Sequence, residues 1–411
     1  MTPFRLEVIT PQGAAGVLAQ GDRYVFACDP KAAAAAAVSL TMPVRLSAYE
    51  RTELHPVFQM NLPEGYLLER LRHLLAKTTG ASPMALLALL GGGDVIGRLR
   101  FETGATRPLA ADAGGERLGS ILAYQGAGSI FDALLDRYLL RSTLSGVQPK
   151  VLVPEVSAAE GGEQGARPKA SAYTADLIVK SGLDEFPGLA INEFVCMSAV
   201  KAAGIPVPEF YLSDNRQLFV MRRFDRTADG QALGFEDMAV LSAKGADQKY
   251  LGRYEDLVKL IGAFCSEAHV KASLAQFFDM VAISCILGNG DGHLKNFGVL
   301  YDSPDDDTVR LAPAFDIVAT TCYLPMDSLA LTLGGSKSLL AARLHLIEFG
   351  ARCHLAPKRV PARILELCDA VDATLRTHAG LVGEVPALAD AIGQGLTAFR
   401  ASFGGSPRGM A

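Results

Sequence analysis

"GNGDGHLKNFGVLY", residues 288–301, follows the apolar stretch "LAQFFDMVAISCIL" and breaks it with a polar, glycine-rich turn. An apolar run of that length reads as a buried helix, so the turn is delivered at the edge of a core. It carries a carboxylate, Asp291, and an amide, Asn296, five positions apart. Further along, "LAPAFDIV" sets Asp316 between Phe315 and Ile317. Burying an unpaired carboxylate there would cost several kcal/mol or more, about the desolvation penalty of one ion. A magnesium ion held jointly by Asn296 and Asp316 would remove that cost. A helix cap or a salt-bridged core aspartate would remove it too.

The separation of Asp291 and Asn296 is that of base and metal ligand in the protein-kinase catalytic loop, H-R-D-x-x-x-x-N. Acid and amide pairs at this distance also arise in turns, where they bond their own backbone. Upstream, Lys180 ends the apolar strand "DLIVK" and precedes a helical pattern with Glu193 near its start. This is the order needed for a lysine that meets phosphates and an acidic partner, although lysines also leave cores at strand ends. Earlier still, "RSTLSGVQPK", residues 141–150, is either a helix-to-strand turn or a loop laid over phosphates. A single glycine does not decide between them.

The 411 residues exceed one ordinary core, and 49% of them are apolar. Short alternating strands "FRLEVIT", "GVLAQ" and "YVFAC", then helices "GYLLERLRHLLAK" and "SPMALLALLG", predict a first domain over 1–110. A small lobe over 119–225 follows, with strands "KVLVP", "ADLIVK", "PEFYLS" and "QLFVMR" and the helix "INEFVCMSAVKAAGIP" ending at Gly204 and Pro206. Residues 226–402 read as mostly helical, apart from 287–335, and 403–411 as a disordered tail. The predicted fold class is α+β, a bilobed protein-kinase-like arrangement with an additional N-terminal α+β subdomain.

The net charge of −5 lacks the basic excess of a protein that grips nucleic acid unaided. Seven cysteines without a C-x-x-C pair predict a reduced, cytoplasmic protein, and Cys353 beside His354 has no second pair at zinc-ligand spacing. No secretory leader pattern and no run of eighteen apolar residues is found, so no membrane is implied.

In this order the motifs resemble the HipA family of serine/threonine kinases, the toxin halves of bacterial toxin–antitoxin pairs. The resemblance rests on "FQMNLPEGYLLERL", "LLGGGDVIGRLRF", "LSGVQPK", "NEFVCMSAVKAAGIPVP", "RFDR", "FEDMAVL", "NGDGHLKNFGVLY" and "LAPAFDI". It implies ATP and Mg2+ as cofactors, Asp291 as catalytic base, and Asn296 and Asp316 as metal ligands. It makes "TLSGVQPK" the phosphate loop, with Ser145, Gly146, Val147, Gln148 and Lys150 at the nucleotide. Lys180, Glu236, Asp237, His293 and Lys295 join them there, and Glu193 is implied as a structural ion-pair residue.

Loops of this type in the family carry autophosphorylated hydroxyls. The usual serine is Thr143 here, and Ser145 is the rival site. The implied partners are a protein substrate, an aminoacyl-tRNA synthetase in known family members, and a HipB-like helix-turn-helix antitoxin through which alone DNA is reached. A second class of function stays open: a weakly active or inactive kinase-shaped co-repressor of that antitoxin.

Overall fold

The computed structural model describes residues 4–75, 82–91, 95–103, 115–125, 129–139, 148–155, 175–182 and 185–404. Two compact units divide the chain: 1–183 with 209–235 and 302–305, and 184–208 with 236–301 and 306–411.

In the first unit, alternation of apolar and polar residues gives a five-stranded antiparallel sheet in the order β4-β3-β2-β1-β5. Its strands are β1 Phe4–Thr10, β2 Gly13–Gln20, β3 Tyr24–Cys28, β4 Tyr49–Arg51 and β5 Arg100–Glu102. Leu6, Val8, Leu18, Phe26 and Phe101 are buried. Phe58, from the short helix Pro56–Gln59, meets Phe26 and Phe101 edge-on with ring centroids 5.5 and 5.9 Å away.

The same unit contains a four-stranded antiparallel sheet, β6 Lys150–Pro154, β7 Ala175–Ser181, β8 Phe210–Leu212 and β9 Leu218–Arg222, in the order β6-β7-β9-β8. Helix Ile130–Tyr138, capped by Ser129, buries Phe131, Leu134, Leu135 and Tyr138 in one cluster with Val151, Val153, Leu177, Val179, Leu218 and Val220. Because strand side chains alternate, Lys150, Lys180 and Phe219 emerge together on the opposite face. In register, Lys150 stands opposite Lys180, and Lys180 opposite Phe219.

The second unit is built around helix Glu267–Leu287. Helices Tyr254–Phe264, Leu339–Arg352, Val360–Thr377 and Pro386–Phe403 pack against it. Gly395 lets the last of these approach closely, since a Cβ there would lie 2.0 Å from the Ile286 carbonyl oxygen. The central helix is long and apolar enough to cross a membrane, but 67% of its most apolar window is buried in this unit, as in a core helix. Helix Leu189–Ala202, placed by sequence within 119–225, belongs to the second unit and packs on Val360–Thr377. Asn192 ties it further, donating to the Ala319 carbonyl at 3.1 Å and accepting the Ala319 N–H at 2.9 Å.

A small sheet, β10 Gly234–Asp237, β11 Gly298–Tyr301 and β12 Arg310–Leu311, completes the strands. All seven cysteines are free, and five are buried. The expected tail lies largely outside the described residues, and the last helix runs to Phe403.

Candidate active site in the helical unit

Helix Glu267–Leu287 ends because Gly288 takes the left-handed conformation, φ 74°, and turns the chain out of the core. The loop that follows is fixed from several sides. Asn289 is buried and accepts the Asp291 N–H at 3.0 Å. The Gly290 N–H donates to Thr320 Oγ1 at 2.7 Å, and Thr320 in turn donates to Asp327. Tyr254 donates to the Gly292 carbonyl at 2.9 Å, and the Leu294 N–H to the Lys249 carbonyl at 3.1 Å.

Three residues singled out in the sequence meet here. Asp291 accepts a hydrogen bond from the Tyr250 hydroxyl at 2.9 Å. Burial, with the Asp316 carboxylate nearby, pushes its carboxyl up to about 6, against the lowering pull of Tyr250 and Lys249. Asn296 Nδ2 donates to Asp316 Oδ2 at 3.2 Å, bringing the amide and the second carboxylate together across twenty residues. Asn296 Oδ1 is buried and accepts no hydrogen bond. An orphaned buried oxygen is costly, and beside a carboxylate it is a ready ligand for a hard cation, so this pair fits Mg2+. Asp316 adopts φ 60°, a conformation rare for a residue with a side chain and one that collects at functional sites.

His293 is buried against Tyr250, ring centroids 5.1 Å apart. Burial and the positive charge of Lys249 push its imidazole down to about 3, so it is neutral at physiological pH and serves packing. Lys295 is half-buried in the turn Leu294–Asn296. Glu236 is buried and accepts the Tyr301 hydroxyl at 2.6 Å. Asp237 caps helix Met238–Leu241 by accepting the Val240 N–H at 2.9 Å. Glu193 is fully buried on helix Leu189–Ala202.

In the first unit, Gln148 donates to the Ser181 carbonyl at 3.1 Å, next to the lysine row on β6 and β7. Lys150 and Lys180 are both buried, and the Lys180 ammonium lies 5.6 Å from the centroid of the Phe219 ring. Two buried lysines facing each other across strands disfavour one another unless an anion shares them. Thr143, Ser145, Gly146 and Val147 lie outside the described residues.

Sequence reasoning missed Tyr250, Asn289, Thr320 and Asp327. Asn289 is two residues from Asp291, and its amide beside a glycine was the one local signal. Tyr250, forty-one residues before the base, carried none.

A carboxylate on a turn at the end of a core helix, beside an amide–carboxylate pair suited to a cation, in an α+β chain, is the arrangement of a kinase-like protein. The chain belongs to the HipA family: the HipA-like C-terminal domain matches residues 142–375 and the HipA N-terminal domain residues 6–102. Two Sinorhizobium fredii proteins that carry kinase names are similar to it. Y4dM is 32% identical over 54% of this chain and 56% of its own length, and Y4mE is 28% identical over 74% and 73%. The match thus spans little more than half of Y4dM. The Shewanella oneidensis HipA, solved in a complex with HipB and operator DNA, shares the fold at 17% identity, with a TM-score of 0.69 over 96% of this chain and 97% of that one.

Proposed function

We propose that the chain is an ATP-dependent serine/threonine protein kinase and the toxin half of a bacterial toxin–antitoxin pair, acting in the cytoplasm. The observation that carries the reading is the Asn296–Asp316 pair, whose buried, unpartnered amide oxygen lies beside a carboxylate in the unit that also holds Asp291. Asn296 and Asp316 would hold Mg2+, which supplies charge neutralisation to the phosphates when bound. Asp291 takes the proton of the substrate hydroxyl as its oxygen bonds to the γ-phosphorus and the bond from that phosphorus to ADP breaks. Lys150, Lys180 and Gln148, with Ser145, Gly146 and Val147 of the phosphate loop, bind the nucleotide phosphates, and Glu193 is a structural ion-pair residue. Lys295, His293, Glu236 and Asp237 border the nucleotide side. Incubation with Mg-ATP should add the mass of one phosphate to the protein, and Asp291→Ala should not acquire it. No gain in the unaltered chain, or an equal gain in the variant, would overturn the assignment.

Thr143 and Ser145 are the proposed autophosphorylation sites. Phosphate there adds charge and bulk where the phosphates of ATP bind, so activity should fall as the modified fraction rises. Thr143→Ala with Ser145→Ala should lose that decline while still modifying a substrate if the loop geometry survives, and phosphopeptide mapping over 142–150 checks it.

Domain 1–110 is proposed to contact a dimeric helix-turn-helix antitoxin, with DNA reached through that partner. The acidic balance of the chain supports an indirect route. Tight operator binding by the isolated chain at physiological salt would reject it. The co-repressor reading is the weaker one, because Lys180, Asp291, Asn296 and Asp316 are all retained.

The pH dependence has a definite sign. The base works ionised, so activity should fall as pH drops through the pKa of Asp291, near 6 before any cation offsets the Asp316 charge. Tyr250→Phe removes a hydrogen bond that favours the carboxylate and should move this acid limb to higher pH. A kcat/KM profile against pH reads the shift. An unmoved limb would mean that Asp291 is not the titrating base.

A further inference from the structure

In the second unit, the described large apolar side chains left exposed are Tyr250, Leu251, Leu324, Met326, Leu340, Leu344 and Ile347. Four of these seven lie on the two segments that hold the loop of Asp291. On one side, residues 249–251 are fixed to it by the Lys249 carbonyl, which accepts the Leu294 N–H, and by the Tyr250 hydroxyl on Asp291. Leu251 follows directly and is 59% exposed. On the other side, Leu324–Asp327 forms a turn closed by the Asp327 N–H on the Leu324 carbonyl at 2.8 Å. Asp327 reaches the Gly290 backbone so closely that a Cβ at 290 would lie 2.1 Å from its Oδ2. This turn carries Leu324, 54% exposed, and Met326, 95% exposed. Loop residues 290 and 291 are thus bounded on two sides, Asp291 by the Tyr250 hydroxyl and Gly290 by Thr320, which donates to Asp327, and each flank displays apolar side chains to solvent. Charged or polar residues would cost nothing at such exposure, and apolar surface gathered around a polar centre marks a site of contact. The remaining stripe of Leu340, Leu344 and Ile347 has no such tie to the loop.

We propose that Leu251, Leu324 and Met326 seat the phosphoacceptor segment of a protein substrate, and that this segment carries apolar side chains beside the hydroxyl presented to Asp291. The proposal rests on the kinase reading above and sharpens it to a substrate class. Fluorescent peptides with one serine, flanked by leucine and methionine, by lysine or by glutamate, test it in two measurements on the full chain: binding by anisotropy without nucleotide, and phosphate transfer with Mg-ATP. Apolar flanks should bind at least about tenfold tighter than either charged set, the scale set by burying one or two apolar side chains. Leu251→Glu with Met326→Glu should erase that preference and favour lysine flanks, whereas Leu251→Met with Met326→Leu should keep it. Circular dichroism confirms that each variant is folded. Equal binding of all three flanks, or a preference unchanged in the glutamate variant, overturns the seat whatever the transfer assay shows. Apolar selectivity in binding with no phosphate moved to any peptide leaves the apolar seat standing and overturns the kinase reading instead.

Discussion

Asp291→Ala is expected to lower phosphate transfer by about 10²- to 10⁴-fold, the contribution of a positioned general base. The fold should survive, because the Asp291 carboxylate spends its described hydrogen bond on Tyr250, a residue 41% exposed. Asp316 needs a different replacement. Its backbone sits at φ 60°, which Asp and Asn adopt more readily than alanine does, so alanine would add backbone strain and confuse a chemical loss with a structural one. Asn tolerates that conformation, so Asp316→Asn removes the charge alone. It should abolish transfer and weaken magnesium-dependent nucleotide binding, as should Asn296→Ala. Asp291→Ala should leave nucleotide binding nearly intact. Single-turnover transfer and titration of a fluorescent nucleotide with and without Mg2+ separate the two roles. Near-normal transfer by a folded Asp316→Asn protein would refute the metal assignment.

The parts of this site legible in the sequence are those set by spacing or burial within one segment. Asp291 and Asn296 are five residues apart, and Asp316 stood out because a carboxylate in an apolar run needs an explanation. The periods of 2 and 3.6 similarly exposed β1 to β3, β6 to β9 and the helices of the second unit. What escaped was either too short or too distant. Strands β4, β5 and β12 have three, three and two residues, less than periodicity can register. Pairing of β1 with β5 joins Glu7 to Glu102, a closure that no local pattern encodes. The association of helix Leu189–Ala202 with the second unit depends on Asn192 meeting Ala319, another long-range contact between unremarkable residues. Tyr250 bonds the loop directly at Asp291 and Asp327 acts on it through Thr320, from opposite sides in the chain, so only coordinates reveal them.

The family motif "RFDR" offers the second large effect, on stability. Arg223 is buried and donates to both oxygens of Asp225 at 2.9 and 2.6 Å. Arg226 adds a contact at 3.0 Å, and the Gly97 N–H another at 2.7 Å. Both arginines also donate to the Val95 carbonyl, at 2.6 and 3.0 Å, so the cluster clasps residues 95–97 to the end of β9 within the first unit. Burial alone would raise the Asp225 carboxyl, but Arg223, Arg226 and the Gly97 N–H together hold it down at about 2. Asp225→Ala removes the carboxylate that both guanidinium groups share and should cost about 3–5 kcal/mol, the penalty of breaking a buried pair from one side. Asp225→Asn keeps the volume and part of the hydrogen bonding, so its loss should be smaller. Because the folded pKa lies below the unfolded one, the contribution of Asp225 is complete above about pH 4 and fades as pH falls towards 2. Urea unfolding followed by a probe in the first unit should show the midpoint of Asp225→Ala far below that of the unaltered chain at pH 7, with the two converging in acid. An equal midpoint at pH 7 would mean that the clasp is dispensable.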